Sequence, residues 1–179
     1  MGDTIDLQIV TPSGVALKKT VAEMTGPSIA GEFGVLPGHL PLLAALRTGV
    51  VAYKASSPSG IEEGRVAVAH GFAQIVNDKA LLLTEKFARK EDVDIVAVRA
   101  RLKEVEDLLT SFAGEHDAEE RKQLIEEQQW LAVELELIGD PPPPIVREDT
   151  RMIARDNDDV VLEEEVAAAP SEAEHSDRH

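Results

Sequence analysis

The sequence predicts an α+β protein: an N-terminal antiparallel β-sandwich over residues 1–88, an antiparallel two-helix hairpin over 89–140, and a proline-led acidic tail, expected to be disordered, over 141–179. Three observations carry this. Short apolar runs of period two, broken by turn residues, fill the first half. Apolar residues at three- and four-residue steps follow from about Lys90. Charge divides the same way, with net −1 over residues 1–100, −8 over 101–140 and −7 over 141–179, within a total of −16. Such asymmetry marks a boundary between a globular part and an acidic extension.

The elements follow in order. Ile5, Leu7 and Ile9 alternate with Asp6 and Gln8, as a half-buried strand requires. Thr11-Pro12-Ser13-Gly14 is a turn cluster, with Val15, Leu17 and Val21 continuing beyond it. Further strands are predicted at 50–55, 65–69, 72–76 and 81–84, separated by Ser56-Ser57-Pro58-Ser59-Gly60, Gly71 and Asn77-Asp78. Many short strands without intervening amphipathic helices favour a sandwich or barrel over a parallel sheet. Val98, Leu102, Val105, Leu109 and Phe112 then form one helical stripe, ended by Gly114. Asp117 with Glu120 makes a capping-box pattern. Leu124, Gln128, Leu131, Leu135 and Ile138 form the second stripe, ended by Gly139 and the prolines at 141–144. Two such helices bury their stripes against each other.

Several function classes are set aside. Aromatics are 3% of an acidic chain, which leaves neither the basic patch nor the stacking rings that nucleic acid needs. With no cysteine, there is no disulfide, zinc-thiolate site or cysteine nucleophile. No apolar run reaches the ~20 residues of a membrane helix. The first residues lack a secretory pattern, so a soluble protein in a cytoplasmic-type compartment is expected. No phosphate-cradling loop or nucleophile elbow is present. His39, His70, His116, His175 and His179 form no metal-binding spacing on a rigid element. His70 reads as a turn residue, and the carboxylates after Glu104 read as solvated helix faces. No catalytic residue, metal or cofactor is expected.

Residues 31–43 stand apart. Gly31-Glu32-Phe33-Gly34-Val35-Leu36-Pro37-Gly38-His39-Leu40-Pro41-Leu42-Leu43 holds three glycines and two prolines among large apolar groups. This cannot be a regular helix or a long central strand. It is too apolar for a floppy linker, so a rigid, partly exposed loop presenting Glu32 and His39 at a protein contact is one reading. A loop crossing the core is the other.

The segment closely resembles the Gly-Glu-x-Gly-x-x-Pro-Gly-His-x-Pro-Leu-Leu signature of the epsilon subunit of F-type ATP synthases, with further agreement at Leu46, Gly49, Val50, Gly71-Phe72-Ala73 and 81–85. The resemblance covers roughly residues 5–138. It implies a non-catalytic central-stalk subunit that binds the gamma subunit, rests on the ring of c subunits and helps couple proton flow to ATP synthesis. The setting implied is peripheral, on the cytoplasmic face of the bacterial inner membrane, with membrane contact only through partner subunits. Glu32 and His39 are implied as interface residues, with Phe33, Leu36, Pro37 and Leu42 as packing support. The resemblance further implies contact of the hairpin with the alpha and beta subunits and regulation of ATP hydrolysis through that contact, but a hairpin of net −8 would meet an acidic segment of the beta subunit with like charge. Some family members bind ATP through an Ile/Leu-Asp-x-x-Arg-Ala motif. Here Val93-Asp94 is followed by Ala97 where Arg is needed, and in the frame of Ile95 and Arg99-Ala100 the Asp is replaced by Val96. The competing reading is an acidic interaction adaptor or regulator outside the ATP synthase, which would not need the Gly/Pro spacing of the loop.

Overall fold

A computed structural model describes residues 3–57, 60–111 and 118–142. Among these, ten strands lie in one sheet: β1 (Ile5–Thr11), β2 (Gly14–Val21), β3 (Glu23–Ser28), β4 (Gly31–Val35), β5 (Leu42–Leu46), β6 (Gly49–Ser57), β7 (Gly60–Val68), β8 (Gly71–Val76), β9 (Lys79–Thr84) and β10 (Phe87–Arg89). Their order is β10-β7-β6-β3-β5-β8-β9-β1-β2, with β4 hydrogen-bonded to β3 alone. The sheet folds over so that β2 lies against β6, closing a core between its faces. Ile5, Leu7, Ile9, Met24, Val51, Val68, Ile75 and Leu82 are fully buried there. The period-two pattern of β1 thus places every second side chain inside.

All ladders are antiparallel except β1 with β9, which run parallel from the Asp6–Lys79 pair to the Val10–Leu83 pair. Three strands escaped the sequence pattern besides β4: β3, β5 and the three-residue β10. β3 reads Glu-Met-Thr-Gly-Pro-Ser, poor strand material by composition. Its pairing explains why Pro27 is tolerated. β6 pairs with β3 from Glu23 to Thr25, and β5 pairs at Ser28. On that side Pro27 falls in the gap between two neighbours, so its missing N–H costs no ladder bond.

Two helices follow, α1 (Ile95–Ser111) and α2 (Ala118–Ile138). Val98, Leu102, Val105, Leu124, Leu131 and Leu135 form one buried cluster between them, with Leu109 and Ile138 packed at its margin. Gly114, Asp117 and Phe112 lie outside the described residues. α2 ends in a Schellman motif: Gly139 N–H donates to the Glu136 carbonyl and Asp140 N–H to the Leu135 carbonyl, both at 3.0 Å. Gly139 adopts φ +89°, a conformation that favours glycine.

α2 carries a second apolar face that a one-stripe reading misses. Val133 and Leu137, with Trp130 beside them, pack on Ala67, Ala88 and Val50 of the sandwich. The small alanines let the helix come close. Residues through Pro142 form one unit, so the hairpin is folded down on the sheet. The tail expected over 141–179 lies outside the described residues from 143 onward.

Candidate docking surface

The Gly/Pro segment is less of a loop than its composition suggests. Residues 31–35 form β4, paired with β3 from Gly31–Ser28 to Val35–Met24, and Leu42 and Leu43 open β5. The two glycines and short length suit an edge strand rather than a central one. Between them lies a tight turn, with His39 N–H donating to the Leu36 carbonyl at 3.1 Å. Pro37 takes the second position and Gly38 the third, at φ +78°. This is a type II turn, in which the third residue must be left-handed.

Each singled-out residue has a definite place. Glu32 lies exposed on β4, opposite Pro27. Phe33 is half-buried against the sandwich core, and its ring covers the bare Cα of Gly26, where a Cβ would meet Cζ at 2.8 Å. Leu42 also packs on the core, and Pro37 is half-buried. Leu36 is 59% exposed, and the buried anchor of this stretch is Val35. His39 is half-buried, with Nδ1 2.6 Å from the Leu40 carbonyl. A carbonyl only accepts, so the proton in this contact is carried by Nδ1.

An apolar face adjoins the turn. Leu40 is 79% exposed, Leu43 74%, Phe72 58% and Leu83 46%. Phe72 of β8 sits between Ala45 on β5 and Leu83 on β9, and Leu43 is one step of the same face away, paired with Gln74. Contiguous exposed apolar residues of this kind are a common feature of interaction surfaces. Sequence periodicity could not reveal it, because Phe72 and Leu83 read as ordinary strand residues and Leu43 as part of the Gly/Pro loop until the register brings them together.

The hairpin's polar groups are largely committed to holding it together. Asp94 caps α1: Oδ1 accepts from the N–H groups of Val96 and Ala97 at 3.0 and 3.1 Å. Arg99 Nε donates to Asp140 Oδ2 at 3.0 Å, and its Nη2 donates to the same oxygen, tying the start of α1 to the end of α2. Arg101 reaches both oxygens of Glu127 at 2.7 and 3.0 Å, and that bidentate contact holds the Glu127 carboxyl below its usual range. Burial raises the Glu134 carboxyl, against the pull of the Trp130 indole donor and the Lys86 charge. Lys86 itself lies 5.7 Å from the Trp130 ring centre. A groove of about 760 Å³ between β2, β7 and the end of α2 is lined by Lys19, Tyr53, Glu62, Arg65 and Arg89, among others, but by neither Asp94 nor Arg99. His70 is paired with Glu85 at 3.2 Å. Among the described residues no cluster could hold a metal ion, and no helix is long and apolar enough to cross a membrane.

A shaped turn, one exposed carboxylate, one imidazole and an apolar sheet face thus belong to a β-sandwich that carries a helical hairpin, with no catalytic constellation among the described residues. Residues 4–90 match the family model of the ATP synthase delta/epsilon chain β-sandwich domain. The ATP synthase epsilon chain of Magnetococcus marinus is 40% identical over 98 residues, which cover 55% of this chain and 69% of that one. The epsilon chain of Geotalea uraniireducens is 33% identical over 115 residues, covering 64% and 80%. In solved structures, a chain of the Euglena gracilis mitochondrial ATP synthase shares the fold at a TM-score of 0.63 and 21% identity, over 76% of this chain and 81% of that one. The chain belongs to the ATP synthase epsilon chain family. As such it is a non-catalytic subunit of the ATP synthase, part of the central stalk that couples the rotor to the catalytic head.

Proposed function

We propose that the sandwich docks by two adjoining surfaces: the turn of residues 36–39 with Glu32 on the polar loops of the c ring, and the apolar face of Leu43, Phe72 and Leu83 on the gamma subunit. Coupling of proton flow to the catalytic head then passes through this chain as a rigid spacer, on the cytoplasmic face of the bacterial inner membrane. The observation that carries the reading is the exposed apolar face beside a turn whose backbone is fixed by Pro37 and Gly38. A carboxylate and an imidazole suit polar loops, while the apolar face suits a permanent subunit contact of low charge.

The hairpin enters this reading as a clasp on the sandwich rather than a nucleotide site, because Asp94 caps α1 and Arg99 is held by Asp140. Nor is it read as a brake on hydrolysis, since its net −8 disfavours an acidic partner.

The chain has no cysteine, which makes placed cysteines unique reporters. In the assembled enzyme, Glu32→Cys should cross-link to the c subunit and Leu43→Cys to gamma, while Asp107→Cys on α1 should reach neither. Cross-links that ignore this pattern would overturn the assignment of the two surfaces.

A further inference from the structure

We propose that Asp78 is the positioning residue of the docking turn. Its carboxylate lies forty positions from Gly38 in the chain, yet Oδ1 accepts the Gly38 N–H at 2.6 Å. In a type II turn the closing bond uses the N–H of the fourth residue, here His39. The N–H of the third residue, Gly38, is therefore left over, and a turn on the surface would ordinarily give it to water. Here a carboxylate takes it, and bonds to an ionised acceptor are the stronger kind.

The carboxylate is itself held in place. Asn77 and Asp78 form the two-residue turn between β8 and β9, at φ +50° and +58°, flanked by the Val76–Lys79 pair. Two successive left-handed residues make the hairpin turn that Asn and Asp tolerate. The Asp78 carbonyl also accepts from the Asp6 N–H at 2.8 Å, fixing the start of β1 to the same point. One residue thus joins the first strand, the β8–β9 hairpin and the Gly/Pro turn. Bond and backbone together orient the Pro37-Gly38-His39 peptide units that meet the partner. This inference rests on the turn being the docking element.

Two substitutions separate positioning from folding. Asp78→Gly keeps the left-handed backbone and removes the acceptor; Asp78→Asn keeps both a tolerated backbone and an acceptor oxygen. In the isolated full-length chain, Asp78→Gly should speed exchange of the Gly38 amide by roughly 10- to 100-fold, with the thermal midpoint little changed and Asp78→Asn near the wild type. In the assembled enzyme, Asp78→Gly should keep ATP hydrolysis and lose ATP-driven proton pumping, with pumping restored by Asp78→Asn. A Gly38 amide that exchanges at unprotected rates in the wild type overturns the clamp, whatever the variants do. Full pumping by an Asp78→Gly enzyme with a freed Gly38 amide overturns its positioning role. Wild-type chain that protects Gly38 but recovers neither gamma nor c subunits leaves the clamp standing and overturns the docking reading beneath it.

Discussion

At the scale of single residues, backbone conformation decides most. Gly38 at φ +78° has open space around its missing Cβ, so a methyl group there meets no neighbour and the cost is conformational alone. Gly38→Ala should lower stability by about 1–2 kcal/mol, the cost of forcing a side chain into the left-handed region. That loss is read as a drop in the denaturation midpoint of the isolated chain. A variant as stable as the wild type would show that the turn relaxes to another form. This constraint could be read from the sequence, because Pro37-Gly38 names a turn by residue type alone. Asp78 could not: a hydrogen bond across forty positions leaves no local pattern, and Asn77-Asp78 reads only as a turn.

At the scale of elements, α2 decides where the hairpin lies. One face packs on α1 and the other on Ala67 and Ala88 of the sandwich, and the helix carries two carboxyls shifted in opposite directions. Glu134 is raised by burial, so the packed state binds its proton more tightly than the unfolded chain. That contribution is present below the ordinary carboxylate range and lost as pH rises through the raised value. Glu127 is lowered by Arg101, so its contribution is present above the ordinary range and lost as pH falls through the lowered value. Thermal midpoints followed from pH 7 to pH 3 should therefore split the two variants. Glu134→Gln, whose amide oxygen still accepts from Trp130, should be more stable than wild type at pH 7, with the gain shrinking in acid. Glu127→Gln should be less stable at pH 7 and converge with wild type in acid. Parallel curves for the two variants would contradict this account. The stripe facing α1 was legible because it repeats at three and four residues. The Trp130, Val133 and Leu137 face was not, because its partners are alanines on strands, which carry no amphipathic signal.

At the scale of the whole molecule, the strands of the sandwich place a fixed turn and an apolar face side by side, and the hairpin closes over a different part of the sheet. The sandwich was foreseeable from short alternating runs and turn residues, and the charge division from composition. The parallel β1–β9 pair and the strand status of β3 were not, since each depends on which neighbours a strand finds rather than on its own residues. The net −16 does not select the function; the 31–43 segment does, through the backbone its glycines and prolines impose. A chain of this family works inside the ATP synthase rotor. The most direct measurement is affinity capture of the full-length tagged chain from detergent-solubilised membranes of its own host, with the captured subunits identified by mass spectrometry. Gamma, c, alpha and beta subunits should be recovered together in one complex; a chain recovered alone, or with partners that exclude gamma, would contradict a place in the rotor.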